Sequence, residues 1–378
     1  MKCIDELSKE ALQGKRVLVR AGLDLPVDDK GNITDLFRLR KAIPTLKFLS
    51  ERGARIIVVS KIGRDPKETN EPVVRALKHQ VNVTYVPDIL GAMAKDAITA
   101  MRDGEILLLE NIQTNPGEIA NDEAFAKALA SLADIYVNDA FPSAHRMSAT
   151  MVGVPKFLPS YAGIQMRDEV EKLTAALKPE HPAFAMIGGA KFETKVPIIK
   201  LFLEKYDHVF ITGALANDVF RARGLPVGRS KISDELPKKD VLEDPHFLAP
   251  VDVTAERTDG QAKVKKPEET TEDDKIVDIG PDTVAMLAPF IKEAKFIIWN
   301  GPTGLYEAGY TAYTHSLAEL IAHRVEEGAQ VVIGGGDTIA ALQESGMKEE
   351  ALGFLSTGGG AMLEFLLAGT LPGIDALK

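Results

Sequence analysis

The chain of 378 residues has very little cysteine, since Cys3 is the only one. A lone cysteine excludes an intrachain disulfide and, with no CxxC pair, a cysteine-based zinc cage. The seven histidines show no metal-ligand spacing such as HExxH. No apolar run reaches the roughly 18 residues of a membrane-spanning helix, and the first residues lack the apolar core of a signal peptide. We therefore expect a cytoplasmic protein.

Excess positive charge and two common nucleotide motifs are also missing. The formal net charge is -10, which argues against nonspecific binding to nucleic acids and to anionic membranes. No GxxxxGK(S/T) segment occurs, which excludes a Walker P-loop. No GxGxxG segment occurs either, which weakens the case for a dinucleotide-binding Rossmann domain. A nucleotide, if one binds, is held by a different scaffold.

What the chain does contain is an alternation of short apolar runs with helical patterns. Runs such as "ARIIVVSK" are apolar throughout, which is typical of parallel strands covered on both faces. The rhythm breaks once, at a long helical pattern near residues 161–177. The sequence therefore predicts an α/β fold of two doubly wound, Rossmann-like domains, 1–160 and 178–357, joined by a hinge helix at 161–177. The charged segment 254–275 is predicted to be an exposed loop or hairpin.

Glycine-rich segments follow the predicted strands of the second half. Ligands of parallel α/β sheets bind at the carboxyl ends of the strands, and glycine allows the backbone to approach a ligand closely. Five segments have this form: "IGGAKFETK" (187–195), "ITGALAND" (211–218), "WNGPTGLYE" (299–307), "IGGGDT" (333–338) and "STGGGA" (356–361). Asp337 places a negative charge at one predicted helix start, where an anion would otherwise bind. This combination indicates a phosphate that is carried with a divalent metal.

Basic side chains mark the predicted strand ends of the first half. They are Arg20, Lys61, Arg64, His145 and Arg146, with Arg38 and Arg40 at the start of the first long helix. Several cations at successive strand ends of a net-acidic protein indicate a pocket for a small polyanion. One lobe is therefore predicted to be cationic and the other glycine-rich, a division that suits phosphoryl transfer across a cleft.

These motifs resemble those of the phosphoglycerate kinase family, in order and along essentially the whole chain. The resemblance implies two domains with a hinge helix, and a C-terminal segment of about 358–378 that returns to complete the N-terminal, acid-binding domain. It implies reversible phosphoryl transfer between ATP and the carboxylate of 3-phospho-D-glycerate, giving ADP and 1,3-bisphosphoglycerate, a step of glycolysis and gluconeogenesis. Magnesium would be bound with the nucleotide, and the protein would be a monomer.

The resemblance also implies a role for individual residues. Those of the nucleotide site would be Lys195, Gly213, Asn300, Glu307, Gly336, Asp337 and Thr338, with Asp337 as the metal ligand. Those that stabilise the transferring phosphoryl group would be Arg38, Lys191, Gly358, Gly359 and Gly360. Those of the acid site would be Arg20, Asp24, Lys61, Arg64, Gln113, His145 and Arg146. Such transfer depends on positioning and charge neutralisation, and a carboxylate needs no base to make it nucleophilic.

The first lobe departs from the family pattern at several positions. Gly22 stands for an aspartate, Asp24 for an asparagine, Lys61 for a histidine, Gln113 for an arginine and Ser148 for a histidine. Two interpretations follow: the acid site has decayed or changed its ligand, or it has been rewired with the same total charge, Asp24 offsetting the lost aspartate and Lys61 the lost arginine. We favour rewiring. Because Gln113 offers only a neutral hydrogen bond, we expect a raised KM for 3-phosphoglycerate.

Three other functions have to be weighed against the kinase. A relative that binds nucleotide and has lost or changed its acid substrate would show no phosphoglycerate-dependent turnover. A nicotinamide-dependent oxidoreductase is disfavoured because GxGxxG is missing. A purely structural scaffold would need neither five glycine loops nor converging arginines. ATP is the expected nucleotide, although "ITGALAND" differs from the family pattern where the adenine would lie.

Overall fold

The computed structural model describes every residue from Met1 to Lys378. Its contacts divide the chain into two compact units, Met1–Glu171 with Thr370–Lys378, and Lys172–Gly369. The division falls inside the predicted hinge helix, which spans Ile164–Ala176. The segment predicted to return from residue 358 does join the first unit, but only from Thr370. The glycine loop and helix at 358–369 belong instead to the second unit.

The first unit contains a six-stranded parallel sheet with the order β3-β4-β2-β1-β5-β6. Its strands are β1 (Arg16–Ala21), β2 (Arg55–Val59), β3 (Val83–Val86), β4 (Ile106–Leu109), β5 (Ile135–Asp139) and β6 (Ser160–Ala162). Its helices up to the division are α1 (Lys9–Leu12), α2 (Phe37–Glu51), α3 (Glu71–Leu77), α4 (Ala92–Ala100), α5 (Pro116–Ile119), α6 (Glu123–Ala130) and α7 (Ile164–Ala176). The predicted cover on both faces of the sheet is confirmed, because the apolar β4 is buried at every position and β5, which ends in Asn138 and Asp139, is also buried at every position.

The second unit contains its own six-stranded parallel sheet, with the order β15-β14-β13-β7-β8-β9. These strands are β7 (Ala183–Ile187), β8 (His208–Ile211), β9 (Phe247–Leu248), β13 (Phe296–Asn300), β14 (Gln330–Gly334) and β15 (Phe354–Leu355). A separate antiparallel sheet contains β10 (Val253–Glu256), β11 (Ala262–Lys265) and β12 (Lys275–Ile279). Strands β10 and β11 pair as a hairpin, so the hairpin expected within 254–275 is confirmed.

Helices of the second unit follow its strands and cover the sheet. They are α8 (Phe192–Lys205), α9 (Ala214–Ala222), α10 (Lys239–Leu242), α11 (Pro281–Glu293), α12 (Ala312–Glu326), α13 (Gly336–Gln343) and α14 (Gly359–Ala368). The last helix, α15 (Pro372–Asp375), lies in the returning segment of the first unit. None of the helices combines the length and apolar composition that spanning a bilayer requires.

Strand order places one switch point in each sheet. In the first unit β1 lies between β2 and β5, so that connections leave the middle of the sheet in both directions. In the second unit β7 lies between β8 and β13 in the same way. Ligands of open parallel sheets bind beyond the carboxyl ends of strands at such points. Ligand sites are therefore expected at the loops after β1, β2 and β5 in the first unit and after β7, β13 and β14 in the second.

Candidate active site

A cavity of about 350 Å³ lies in the first unit and is lined largely by polar and charged side chains. Four residues predicted for the acid site line it together: Arg20, Lys61, Gln113 and Arg146. They come from β1, the loop after β2, the turn after β4 and the loop after β5, which meet because their strands run parallel. Arg146 is exposed, so its guanidinium can reach an anion. The chemistry of this lining suits a small phosphorylated acid.

Lys61 and Asp24 form an ion pair beside this cavity. Asp24 Oδ1 also accepts the backbone N–H of Gly63 at 2.9 Å, and Lys61 Nζ donates to the Gly63 carbonyl at 3.0 Å. Burial lowers the pKa of Lys61, and the hydrogen bond and charge of Asp24 oppose that change. The two charged residues that depart from the family pattern, Lys61 and Asp24, therefore neutralise each other. Lys61 offsets the arginine missing at Gln113 in total charge, and in the fold its ammonium is paired with Asp24.

Arg20 is more deeply placed than a direct ligand would be. Its side chain is 2% exposed, with Nε donating to Thr150 Oγ1 at 3.2 Å and Nη1 donating to the Ala21 carbonyl at 2.6 Å. Two of its guanidinium nitrogens are thus committed inside the protein. Arg20 lines the cavity and supplies positive charge there, together with the buried Lys61 and the exposed Arg146.

The other residues predicted for the acid site, Asp24, Arg64 and His145, do not line the cavity, and neither does Arg38, which is predicted to stabilise the transferring phosphoryl group. Arg38, on the first turn of α2, donates through Nη1 to the Asp24 carbonyl at 2.8 Å. Arg64 is exposed on the loop after β2, and His145 is half-buried beside Arg146. Arg38 is therefore linked to the cavity through the Asp24 backbone.

Sequence reasoning missed Glu118, which is 2% exposed and lines the same cavity. Its Oε1 accepts from Ser148 Oγ at 2.7 Å and from Thr150 Oγ1 at 2.5 Å. Its Oε2 accepts the Thr150 backbone N–H at 2.9 Å. Since the Thr150 hydroxyl also accepts from Arg20, Glu118 ties the loop after Arg146 to the buried arginine. Nothing in the local sequence marks this carboxylate, because its hydrogen-bond partners come from the segment after β5.

The second unit contains a cavity of about 460 Å³. Its lining includes Gly213, Glu307 and Asp337, three residues predicted for the nucleotide site. Apolar side chains and backbone from the loops after β7, β8 and β13 complete much of the wall, which suits a purine base and its ribose. Gly213 has a φ of 62°, a left-handed conformation that glycine adopts without strain.

Three helices of this unit begin directly after the glycine loops. They are α8 after Lys191, α13 after Gly335 and α14 after Gly358. Each begins beyond the carboxyl end of a strand, where the free N–H groups of its first turn carry partial positive charge. Gly336 and Gly360, in the first turns of α13 and α14, have no atom within 4 Å of an added Cβ. Packing therefore does not require glycine at these two positions.

Some glycines of these loops are required by packing rather than by a ligand. A Cβ on Gly301 would lie 2.5 Å from Gly188 Cα, and a Cβ on Gly359 would lie 2.6 Å from Gly335 Cα. Both distances are too short for a side chain, so the loops contact each other through their backbones. Asn300 Nδ2 is buried near Gly335 and Gly359 and has no hydrogen-bond partner. This donor among the glycine loops fits an anion that is not part of the chain.

Lys195 and Thr338 are placed differently from each other. Lys195 is half-buried on the second turn of α8, burial lowers the pKa of its ammonium, and no carboxylate pairs with it. A desolvated, unpaired lysine is suited to binding a phosphate.

Thr338 is fully buried, and its Oγ1 accepts the Gly301 N–H at 2.7 Å and donates to the Gly334 carbonyl at 3.1 Å. Its hydroxyl ties two loops together, so only its backbone N–H is left for a phosphate.

Asp278 is a further buried carboxylate of this cavity that sequence reasoning missed. It accepts the Ile279 N–H at 2.9 Å, and the Thr303 hydroxyl and the Tyr313 N–H also bond to it. Burial raises its pKa to about 7. Thr303 lies in the loop after β13 that lines the cavity, so its hydrogen bond to Asp278 anchors that loop.

Comparison with known proteins gives one consistent result. A family model described as "Phosphoglycerate kinase" matches residues 5–369. The phosphoglycerate kinase of Methylobacterium radiotolerans is 38% identical over 396 aligned residues, covering 97% of this chain and 96% of that protein. That of Leptospira biflexa serovar Patoc is 39% identical over 390 residues, covering 98% and 97%.

Two solved structures are similar along their whole length. The phosphoglycerate kinase of Coxiella burnetii superposes with a TM-score of 0.80 at 32% identity, covering 99% of this chain and 98% of that one. The enzyme of Pyrococcus horikoshii OT3 superposes with a TM-score of 0.86 at 27% identity, covering 100% and 98%. The chain is therefore similar to phosphoglycerate kinases both in sequence and in fold.

Proposed function

Since the chain belongs to the phosphoglycerate kinase family, we propose that its cationic cavity binds 3-phospho-D-glycerate and its glycine-lined cavity binds ATP. The chain is a kinase that transfers a phosphoryl group to a carboxylate. The observation that carries the assignment is the contrast between the two cavities. Each is at the carboxyl edge of its sheet, one rich in cations and the other in helix N-termini.

In the acid cavity, Arg146 and Lys61 bind the phosphate of the acid, with Arg20 adding charge from beneath. Gln113 contributes a neutral hydrogen bond. The carboxylate of the acid is left to act as the nucleophile, and it needs no general base because it is ionised near neutral pH. Lys61 has to exchange part of its contact with Asp24 for the substrate phosphate. That exchange supports the expectation of a weaker grip on 3-phosphoglycerate and a raised KM.

In the nucleotide cavity, Gly213 lies against the base and Glu307 accepts from the ribose hydroxyls. Lys195, Asn300 and the first N–H groups of α13, from Gly336 to Thr338, bind the phosphates. Asp337 is exposed on the first turn of α13, and no group of three His, Cys, Asp or Glu side chains could hold a metal alone. One carboxylate fits magnesium that is bound mainly by phosphate oxygens. When bound, the ion neutralises phosphate charge and orients the chain of phosphates.

Transfer forms a bond from the acid carboxylate to the γ-phosphorus while the bond to the ADP oxygen breaks. Negative charge on the three equatorial oxygens has to be met by fixed positive groups. Arg38 of the first unit, Lys191 and the N–H groups of Gly359 and Gly360 are assigned that role, with Gly358 setting the start of α14. Lys191 is exposed at the first position before α8, where the ammonium and the helix dipole act on the same anion.

The test is magnesium-ATP-dependent phosphorylation of 3-phosphoglycerate, measured through a coupled dehydrogenase over a wide range of acid concentration. Lys191→Ala should abolish turnover, by about 10²-fold or more. Lys205→Ala, at the other end of the same helix, is the matched control and should retain it. Saturable turnover with this pattern supports the assignment. ATP binding without acid-dependent turnover would instead favour a relative whose acid substrate has changed, a possibility suggested by the Lys61–Asp24 pair.

A further inference from the structure

Tyr306 and Asp337 meet at the wall of the nucleotide cavity. Tyr306 Oη donates to Asp337 Oδ1 at 3.2 Å, and both side chains line the same space. A phenol is protonated near neutral pH and an ionised carboxylate only accepts, so the direction of this hydrogen bond is set. The second carboxylate oxygen of Asp337, Oδ2, has no partner within the chain.

Both residues stand on backbone that is held in place. Tyr306 begins a short turn whose preceding residue, Leu305, donates its N–H to the Val277 carbonyl at 2.8 Å. The Gly309 N–H closes the turn on the Tyr306 carbonyl at 2.8 Å. Asp337 lies on the first turn of α13. The hydrogen bond therefore joins two fixed elements, and it limits the rotation of a carboxylate that is otherwise exposed.

We propose that Tyr306 is a positioning residue for the metal–nucleotide complex, holding Oδ1 of Asp337 so that Oδ2 is presented to the ion. The inference rests on the proposed role of Asp337 as the metal ligand. A neutral hydroxyl is suited to this task, because it fixes the carboxylate without adding a positive charge that would repel the ion. Partners of this kind orient metal ligands, and their loss typically weakens metal affinity by about 10- to 100-fold. The pair here is solvent-exposed, so we expect a smaller effect.

The experiment compares ADP binding by calorimetry with and without magnesium, in the full-length wild type and in Tyr306→Phe. This substitution removes one oxygen and keeps the ring. The matched control is Tyr310→Phe, because the Tyr310 hydroxyl also donates to a carboxylate, Glu256 Oε1, at 3.0 Å, yet it does not line the cavity. Asp337→Asn provides the reference for complete loss of the magnesium-dependent gain in affinity.

We expect Tyr306→Phe to reduce the magnesium-dependent gain by about three- to tenfold and to leave magnesium-free ADP affinity unchanged. Tyr310→Phe should change neither. An equal loss with and without magnesium would mean that the hydroxyl contacts the nucleotide itself, which overturns the proposal, as would no loss at all. If magnesium does not change the ADP affinity of the wild type, the proposed role of Asp337 as metal ligand is refuted. The proposed role of Tyr306, which depends on it, is then refuted as well. Equal unfolding temperatures of the variants would confirm that the fold is unchanged.

Discussion

Lys61 and Asp24 form an ion pair beside the acid cavity, although they come from loops that follow different strands. The Lys61 side chain is only 9% exposed. An anion bound in the cavity would therefore compete with Asp24 for the ammonium of Lys61. A partly buried cation with an internal partner binds a ligand less strongly than a free one. We therefore expect the pair to determine how tightly the cavity holds the phosphate of the proposed acid substrate.

The first prediction concerns this pair. Asp24→Asn should lower the KM for 3-phosphoglycerate by about three- to tenfold, because it removes the competing charge and keeps an oxygen for the Gly63 N–H. Lys61→Met should raise the same KM by about tenfold or more. The KM for ATP should not change in either variant. The control is Asp29→Asn, which makes the same charge change at an exposed position of the same loop. A higher KM in Asp24→Asn would show that Asp24 contacts the substrate directly.

The second prediction concerns Gln113, which lines the acid cavity. Gln113→Arg should lower the KM for the acid by about threefold to tenfold, with the larger effect at low salt, because a charge-assisted bond replaces a neutral one. Steady-state kinetics at two ionic strengths would measure it. Thr114→Arg adds the same charge at the next, exposed position outside the cavity and should have little effect. Equal effects of the two substitutions would indicate long-range charge rather than contact.

The third prediction concerns the hydroxyl that joins Glu118 to Arg20. Thr150→Val keeps the shape of the side chain but leaves Arg20 Nε without its partner. We expect a lower free energy of unfolding, by about 1–3 kcal/mol, and a KM for the acid raised by about fivefold. The KM for ATP should stay constant, which a general loss of structure would not allow. Thr99→Val, on the exposed face of α4, is the control in both assays.

The fourth prediction concerns pH and Asp278. Its pKa in the folded protein is raised to about 7 from 3.8, so the folded state binds this proton more tightly than the unfolded chain does. The ionised carboxylate therefore lowers stability above about pH 7, and this cost is relieved as pH falls towards 4. The free energy of unfolding of the wild type minus that of Asp278→Asn should fall as pH rises to about 7, by at most about 1.4 kcal/mol per pH unit.

Denaturant unfolding of both proteins between about pH 5 and pH 8 would measure this difference. Groups common to both proteins cancel in the subtraction, which leaves the titration of Asp278. Asp234→Asn, at an exposed position of the same unit, is the control for exchanging a carboxylate for an amide. A difference that does not vary with pH would mean that Asp278 stays ionised in the folded protein.

The amino-acid sequence by itself determined the fold class and predicted ligand sites at the carboxyl edges of the two sheets. Apolar strands such as β4 and β7 require cover on both faces, and glycine loops lie where strands end and helices begin. These features depend on residues close together in the chain, through periodicity and local backbone preference. For the same reason the loop that carries Asp337 is recognisable from its own residues alone.

The tertiary structure decided which side chains meet. Lys61 with Asp24, Glu118 with Thr150 and Tyr306 with Asp337 join separate loops or elements. Their contacts depend on strand order and on rotamers within a packed interior, and neither follows from local pattern. Charge counted along the chain shows only that Lys61 offsets a missing arginine in the total. The fold shows that its ammonium pairs with Asp24, because a partly buried charge is stabilised by a nearby opposite charge.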